Sequence, residues 1–339
     1  MKPAPLITGV AAFDEWIAEL DALSADRPPA GFETHPPNAY YGHADLLKRF
    51  CGWPAERPVC VAIPHGVRFD GQFGPADFPE CFPVCLVPSH ARAEVLRPQL
   101  DREFHAIGPM IHYAPPLLSV ADAEVVRARF GRTLLVFPTH STHWVDTDVD
   151  QVAFFQQIER WAEGFQTVLI CVYWKDVLRG IAPAYRQAGW HCITAGHIYD
   201  PLFLSRLRTV IELADVTAAN NLGTHLGYAV HFGKPCWLQV MPVSRIPKQP
   251  FRRIGIVRDE PVYQEAFGNQ DIVVSPAQRA LVETLWGLGA VRTPDEINAL
   301  LARGEQLCRP ELFPQRTTRE GPGRRLVSRV KQVLTGMWK

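Results

Sequence analysis

Four short stretches, residues 138–144, 174–176, 195–200 and 220–225, gather histidines, hydroxyls, a lysine and glycines behind apolar runs. Imidazoles exchange protons near neutral pH, and glycine lets an anion approach backbone N–H groups. A single histidine in such a loop is ordinarily a hydrogen-bonded structural residue. Histidines in three of the four loops, and a lysine in the other, point to a site. The sharpest stretch is Asn221-Leu222-Gly223-Thr224, which leads into a helical pattern with small early residues. Free N–H groups and the helix dipole there would hold a phosphate, with Gly223 allowing close approach and Thr224 donating its hydroxyl. The bland alternative is an N-cap by Asn221, with Gly223 kept for packing. His140-x-x-His143 with Asp146 could bind a metal, but the spacing is loose and no helix is predicted through it. Asp146-x-Asp148-x-Asp150, just before a predicted helix, reads as solvated charge favoured by the dipole.

The elements that must position these residues follow from periodicity. Thr133-Leu134-Leu135-Val136-Phe137 is a short apolar run ending at Pro138, as a buried strand would be. Asp150 opens a helix with apolar residues at three- and four-residue steps, closed at Gly164. Residues 167–173 form a second strand, 176–187 a helix, and 190–194 a third strand. Asp200-Pro201 starts a helix to about 214, with Asp as N-cap and Pro at the first position. Residues 215–219 are a fourth strand, 223–232 a helix, and 235–240 a fifth strand. Strands alternating with helices imply right-handed βαβ units and a parallel sheet, whose ligands lie beyond the strands' carboxyl ends.

The first third is less regular. Residues 13–23 read as a helix, 58–64 and 82–87 as strands, and 275–301 as helical again. Lys+Arg and Asp+Glu both number 35, so nothing suggests nucleic-acid binding. The eight scattered cysteines read as reduced thiols, and no apolar stretch is long enough to span a bilayer. The expectation is a soluble cytoplasmic protein. The segment 316–339 carries seven Lys/Arg against one Glu.

The stretch Asp215 to Tyr228, followed by Phe232-Gly233-Lys234-Pro235, resembles the donor-site segment of GT-B glycosyltransferases and of related sugar-nucleotide 2-epimerases. Pro64-His65-Gly66-Val67, Ile107-Gly108-Pro109 with Tyr113, and Phe137-Pro138-Thr139-His140-Ser141 resemble proteins of capsule and surface-polysaccharide synthesis. The resemblance implies an α/β fold with two Rossmann-like domains facing across a cleft, parallel sheets, and a C-terminal helix returning to the first domain. It places an acceptor-side domain at 1–118, a nucleotide-sugar domain at 119–315 and a basic helix at 316–339. It implies glycosyl transfer from a nucleotide sugar, without metal or cofactor, to a saccharide or lipid-linked acceptor. His65 would be the general base, with Asp70 in reserve. His140, Ser141, Asn221, Gly223, Thr224 and His225 would hold the donor, and Lys175 and His197 would line the cleft. The helix starting His225-Leu226-Gly227-Tyr228 lacks the paired glutamates of the epimerases, which counts against an epimerase-like enzyme; that enzyme and an inactive nucleotide- or carbohydrate-binding module are the alternatives. Pro138-Thr139-His140 is reminiscent of the His-Pro element of sialyl- and Kdo-transferases and gives a leaning to a CMP-linked donor. The basic tail would be the return helix, or a contact with the inner leaflet of the membrane.

Overall fold

The computed structural model describes residues 9–29, 33–68, 73–74, 77–142, 145–247 and 261–313. Asp70, His143 and the tail 316–339 lie outside them. The chain opens with α1 (Val10–Ala18), α2 (Leu20–Ser24) and, after a 3-10 segment Pro36–Gly42, α3 (His43–Cys51). Next come β1 (Val84–Val87), α4 (His90–Leu96) and β2 (Glu103–Ala106), then the turn Met110–Tyr113. After α5 (Val120–Phe130) the regular part begins with β3 (Thr133–Phe137), β4 (Val145–Val149), α6 (Gln151–Ala162) and β5 (Thr167–Cys171). It continues with α7 (Trp174–Leu178), α8 (Ala182–Gln187), β6 (His191–Ile193), α9 (Phe203–Leu213) and β7 (Val216–Ala219). Finally come α10 (His225–His231), β8 (Cys236–Leu238), β9 (Val243–Pro247), α11 (Pro261–Phe267), α12 (Pro276–Trp286) and α13 (Pro294–Leu307).

The protein is α/β, and among the described residues its two units are built on a five-stranded and a two-stranded parallel sheet. The larger sheet runs β6-β5-β3-β7-β8, all parallel. The chain winds outward from β3 to β5 and β6, then crosses back to β7 and β8. The topological switch point therefore lies between β3 and β7. Both faces are covered: Leu134 and Val136 pack with Phe154, Ile158 and Trp161 of α6, while Leu135 and Phe137 join Leu207, Val210 and Ile211 of α9. That is why the run 133–137 is apolar throughout.

The smaller sheet pairs β1 with β2 in parallel. The expected strand 58–64 touches it through one bridge, Ala62 to Cys85. The other edge of this segment is held by a side chain. Asn38 Nδ2 donates to Val61 O at 2.8 Å, and Asn38 Oδ1 accepts from the Ile63 N–H at 3.0 Å. One buried asparagine thus takes the place of a neighbouring strand.

Other expectations shift for local reasons. The helix 176–187 is two, broken at Gly180 (φ 75°). Asp200 is not the N-cap of α9. Its carboxylate accepts from the Leu202 N–H at 2.9 Å and is held by Arg206 at 2.9 Å and Arg27 at 3.1 Å, and the helix begins at Phe203. The stretch 275–301 breaks at Gly287 (φ 66°) and restarts with a capping box of Thr293 and Glu296. The acidic string is not loose charge: Asp146 and Asp148 lie in β4, which pairs antiparallel with β9, and only Asp150 caps α6.

Chain order and spatial order differ at the two ends. Trp16 Nε1 of α1 donates to Thr194 O beyond β6, and the His197 N–H donates to Leu23 O of α2. The first helices thus lie on the larger sheet. Conversely α13 packs on α3 and β1. Among the described residues, α13 is an element that crosses back onto the first unit.

Candidate functional site

The loops after β3 and β7 meet at the switch point and are tied together. The Thr139 N–H donates to Asn220 Oδ1 at 2.6 Å, and Asn221 Nδ2 donates to Thr139 Oγ1 at 3.1 Å. Asn221 Oδ1 turns back to accept from the Leu222 N–H at 2.8 Å. Thr224 Oγ1 reaches the other unit and accepts from the Val67 N–H at 3.1 Å. Trp286 Nε1 of α12 donates to Thr224 O at 3.1 Å. Thr224 is therefore a bridge between the two units, built from a residue expected to face a phosphate.

Gly223 has a different role from the one its sequence position suggests. A Cβ there would stand 2.5 Å from Cε1 of His225, so the glycine makes room for an imidazole. That ring stacks on Phe137 at 4.6 Å, and its Nε2 is buried without a hydrogen-bond partner. Burial drives the His225 pKa down to about 3, and His140 nearby pushes the same way. Helix α10 has only seven residues, so its dipole is short as well.

His140 is exposed in the loop after β3, its ring 4.3 Å from Tyr173. Its outer edge reaches solvent, yet crowding of the ring lowers its pKa, against the opposing pull of Asp176. Ser141 is fully buried and bonded within the protein. Its N–H donates to Asp176 Oδ2 at 3.0 Å, and its hydroxyl accepts from Arg179 Nη1 at 2.5 Å and the Thr147 N–H at 3.1 Å. It organises the loop and is not open to a ligand. Lys175 lays its ammonium over Trp174, 4.9 Å from the ring centroid.

His197 does not line the cleft. It is wholly buried, 4.0 Å from Trp174 by ring centroids and 3.2 Å from Asp26 Oδ1 through Nε2, and it joins α2 to the larger sheet. Arg179, which ties Ser141, Asp176 and Asp148 together, was not singled out from sequence.

The facing wall comes from the first unit. His65 follows the Val59–Ile63 segment, its ring edge-on to Tyr40 at 4.9 Å and 6.4 Å from Tyr41. Tyr41 was missed. It adopts φ 56°, the left-handed region that costs a non-glycine residue about 1–3 kcal/mol. The turn is fixed by the Tyr41 N–H donating to Ile198 O, and by Gly42, where a Cβ would stand 2.7 Å from the Pro201 Cα. This strain aims the Tyr41 hydroxyl across the cleft to within 3.4 Å of the Tyr173 hydroxyl. His43 follows, only 1 % exposed; burial, then His65, lowers its pKa to about 3. The sequence signal was Tyr40-Tyr41-Gly42-His43 itself, an aromatic pair before a glycine. Thus His65, Tyr41 and His43 face His140, Tyr173 and His225 across the join. Among the described residues no group of three or more metal-ligating side chains is placed to hold an ion.

No protein-family profile and no curated protein matches the chain. Among solved structures it is similar to sucrose-phosphate synthase from Thermosynechococcus elongatus, at 13 % identity over 74 % of this chain and 58 % of that one, TM-score 0.27. It is similar to the wall teichoic acid polymerase TagF at 9 % identity over 75 % and 58 %, TM-score 0.28. A UDP-glucosyltransferase from Polygonum tinctorium is 13 % identical over 74 % and 53 %, TM-score 0.27. The chain spans a little over half the length of each.

Proposed function

We propose that the protein is a glycosyltransferase that moves a sugar from a nucleotide-sugar donor to a saccharide or lipid-linked acceptor. The observation that carries this reading is the juxtaposition at the switch point. The loops bearing His140 and His225 at the carboxyl ends of β3 and β7 face Tyr41 and His65 of the first unit, across a join bridged by Thr224 and Val67. A donor in the crevice would present its anomeric carbon toward the first unit. There His65 would take the proton of the attacking acceptor hydroxyl. His140 and backbone N–H groups of the switch-point loops would stabilise the leaving phosphate without a metal. A CMP-linked donor and a role in surface-polysaccharide synthesis remain parts of this proposal, as does Asp70 as an alternative base.

A thermal-shift panel of CMP, UDP, GDP and their sugars, followed by turnover with the stabilising donor, tests it. Bound ligand raises stability by RT ln(1 + [L]/Kd). Failure of every nucleotide to stabilise the protein would sink the reading. One observation favours a second reading, an inactive binding module. Thr224 and Asn221 spend their polar side-chain atoms within the protein, and His225 covers Gly223. Nucleotide binding without turnover of any donor would select it.

A further inference from the structure

The cysteines, scattered in sequence, gather in space. Cys60, Cys81 and Cys85 are buried in one apolar cluster with Phe78, Phe82 and Phe104, and the partly buried Cys308 packs against it. Cys308 stands at the C-terminal cap of α13. Two contacts fix its place. One turn earlier, Gly304 lies so close to the Val59–Ile63 segment that a Cβ there would stand 2.8 Å from Cys60 O. Residues four apart share a helix face, so the Cys308 side chain follows Gly304 onto that segment. At the next residue the Arg309 N–H donates to Cys81 O at 3.0 Å. The Cys308 and Cys60 thiols meet as hydrogen-bond partners. They differ as a reactive pair must. Cys60 is 1 % exposed and its pKa is raised, so it keeps its proton. The bond it gives lowers the pKa of Cys308, against burial and the carboxylates of Glu311 and Glu305. The thiolate is the nucleophile, and it must be reachable. Cys51 and Cys171 are partly exposed too, but burial pushes their pKa up, that of Cys171 to about 12.

We propose that Cys308 is a site of oxidation by hydroperoxides and that Cys60 resolves it, closing a disulfide between α13 and the first unit. The Cys308 thiolate attacks the terminal oxygen of the hydroperoxide, the O–O bond breaks, and hydroxide or alkoxide leaves. Cys308 is then a sulfenic acid. The Cys60 sulfur attacks the Cys308 sulfur, the S–O bond breaks, and the Cys60 proton leaves with the hydroxyl as water. The two thiols lose two electrons and the hydroperoxide gains them. The link ties the end of α13 to the segment that leads into His65.

The test uses the full, reduced chain. Iodoacetamide at pH 7 alkylates Cys308 about tenfold or more faster than Cys51 or Cys171 by peptide mapping, since the thiolate fraction sets the rate. One equivalent of hydrogen peroxide, then proteolysis without reductant and tandem mass spectrometry, yields one pair of peptides joined at Cys60 and Cys308. Dithiothreitol separates them. In Cys60→Ser the sulfenic acid has no resolving thiol, and dimedone labels Cys308. In Cys308→Ser peroxide links no peptides. A link from Cys308 to Cys81 instead of Cys60, alkylation of Cys308 no faster than of Cys51, or oxidation of Cys308 to the sulfinic acid with no link overturns the proposal. Those three readings need only the unmodified chain, so they hold even where Cys60→Ser fails to fold.

Discussion

At the scale of single residues, the join between the units is lined by imidazoles and phenols that burial holds neutral. Burial lowers the pKa of His43 and His225 to about 3 and raises that of Tyr41 and Tyr173, so none is charged at pH 7. A base must have a proton to take and a place to put it, which leaves His65 at the cleft wall as the residue to test. His65→Ala should lower kcat by about 100-fold or more with little change in KM, since general-base catalysis contributes on that order. An equal fall in kcat/KM through KM alone would make His65 a binding residue. His140→Ala should instead weaken donor affinity, about tenfold for each 1.4 kcal/mol lost. A chelator should leave turnover unchanged, and loss of activity with EDTA that zinc restores would overturn the metal-free mechanism. Thr224→Val removes the acceptor of the Val67 N–H. The expected cost is about 1 kcal/mol, read as a lower urea midpoint at unchanged slope.

At the scale of elements, the two units are joined by helices that approach closely enough to need glycine. A Cβ on Gly304 of α13 would lie 2.3 Å from Val61 Cγ1 and 2.8 Å from Cys60 O. A Cβ on Gly227 of α10 would lie 2.2 Å from Trp286 Cδ2 of α12. Alanine would gain helix propensity of up to about 1 kcal/mol at either position, but overpacking costs about 1–3 kcal/mol or more. With backbone among the clashing atoms at Gly304, the steric cost should prevail. Gly304→Ala is therefore expected to lower Tm, and an unchanged or raised Tm would mean α13 does not sit tightly on the first unit. These elements also show what periodicity can report. The runs 133–137 and 167–171 were legible because a doubly covered parallel strand must be apolar on both faces. The pairing of β4 with β9 was not legible, since it joins segments about a hundred residues apart and β4 carries acidic residues at 146 and 148. The segment 58–64 has strand composition, but it is completed by Asn38, which no strand pattern includes.

At the scale of the whole molecule, the buried histidines link stability to pH. The pKa of His43 and His225 is about 3 and that of His231 about 4, against an ordinary 6.5. Between those values the unfolded chain binds more protons than the folded one, so stability is full above about pH 6.5 and falls as pH drops toward 4. For His43, only 1 % exposed, the slope is at most about 1.4 kcal/mol per pH unit. The urea midpoint should fall from pH 7 to pH 5, and less so in His43→Phe; equal falls in both proteins would show that His43 is not held neutral. Local composition determined much of this architecture: apolar strands, intervening helices, a parallel sheet, and polar loops at its carboxyl edge. Each of those depends on neighbours a few residues away, so the chain spells them out. Only the tertiary structure decided which loop groups are open to a ligand. Gly223 serves His225, Thr224 serves Val67 and Ser141 serves Arg179, while Tyr41 reaches the cleft through a strained turn held by Ile198 and Pro201. Those partners lie from two to about 160 residues distant in the chain. A hydrogen bond or a steric contact is set by distance in space, which residue type and spacing alone do not fix.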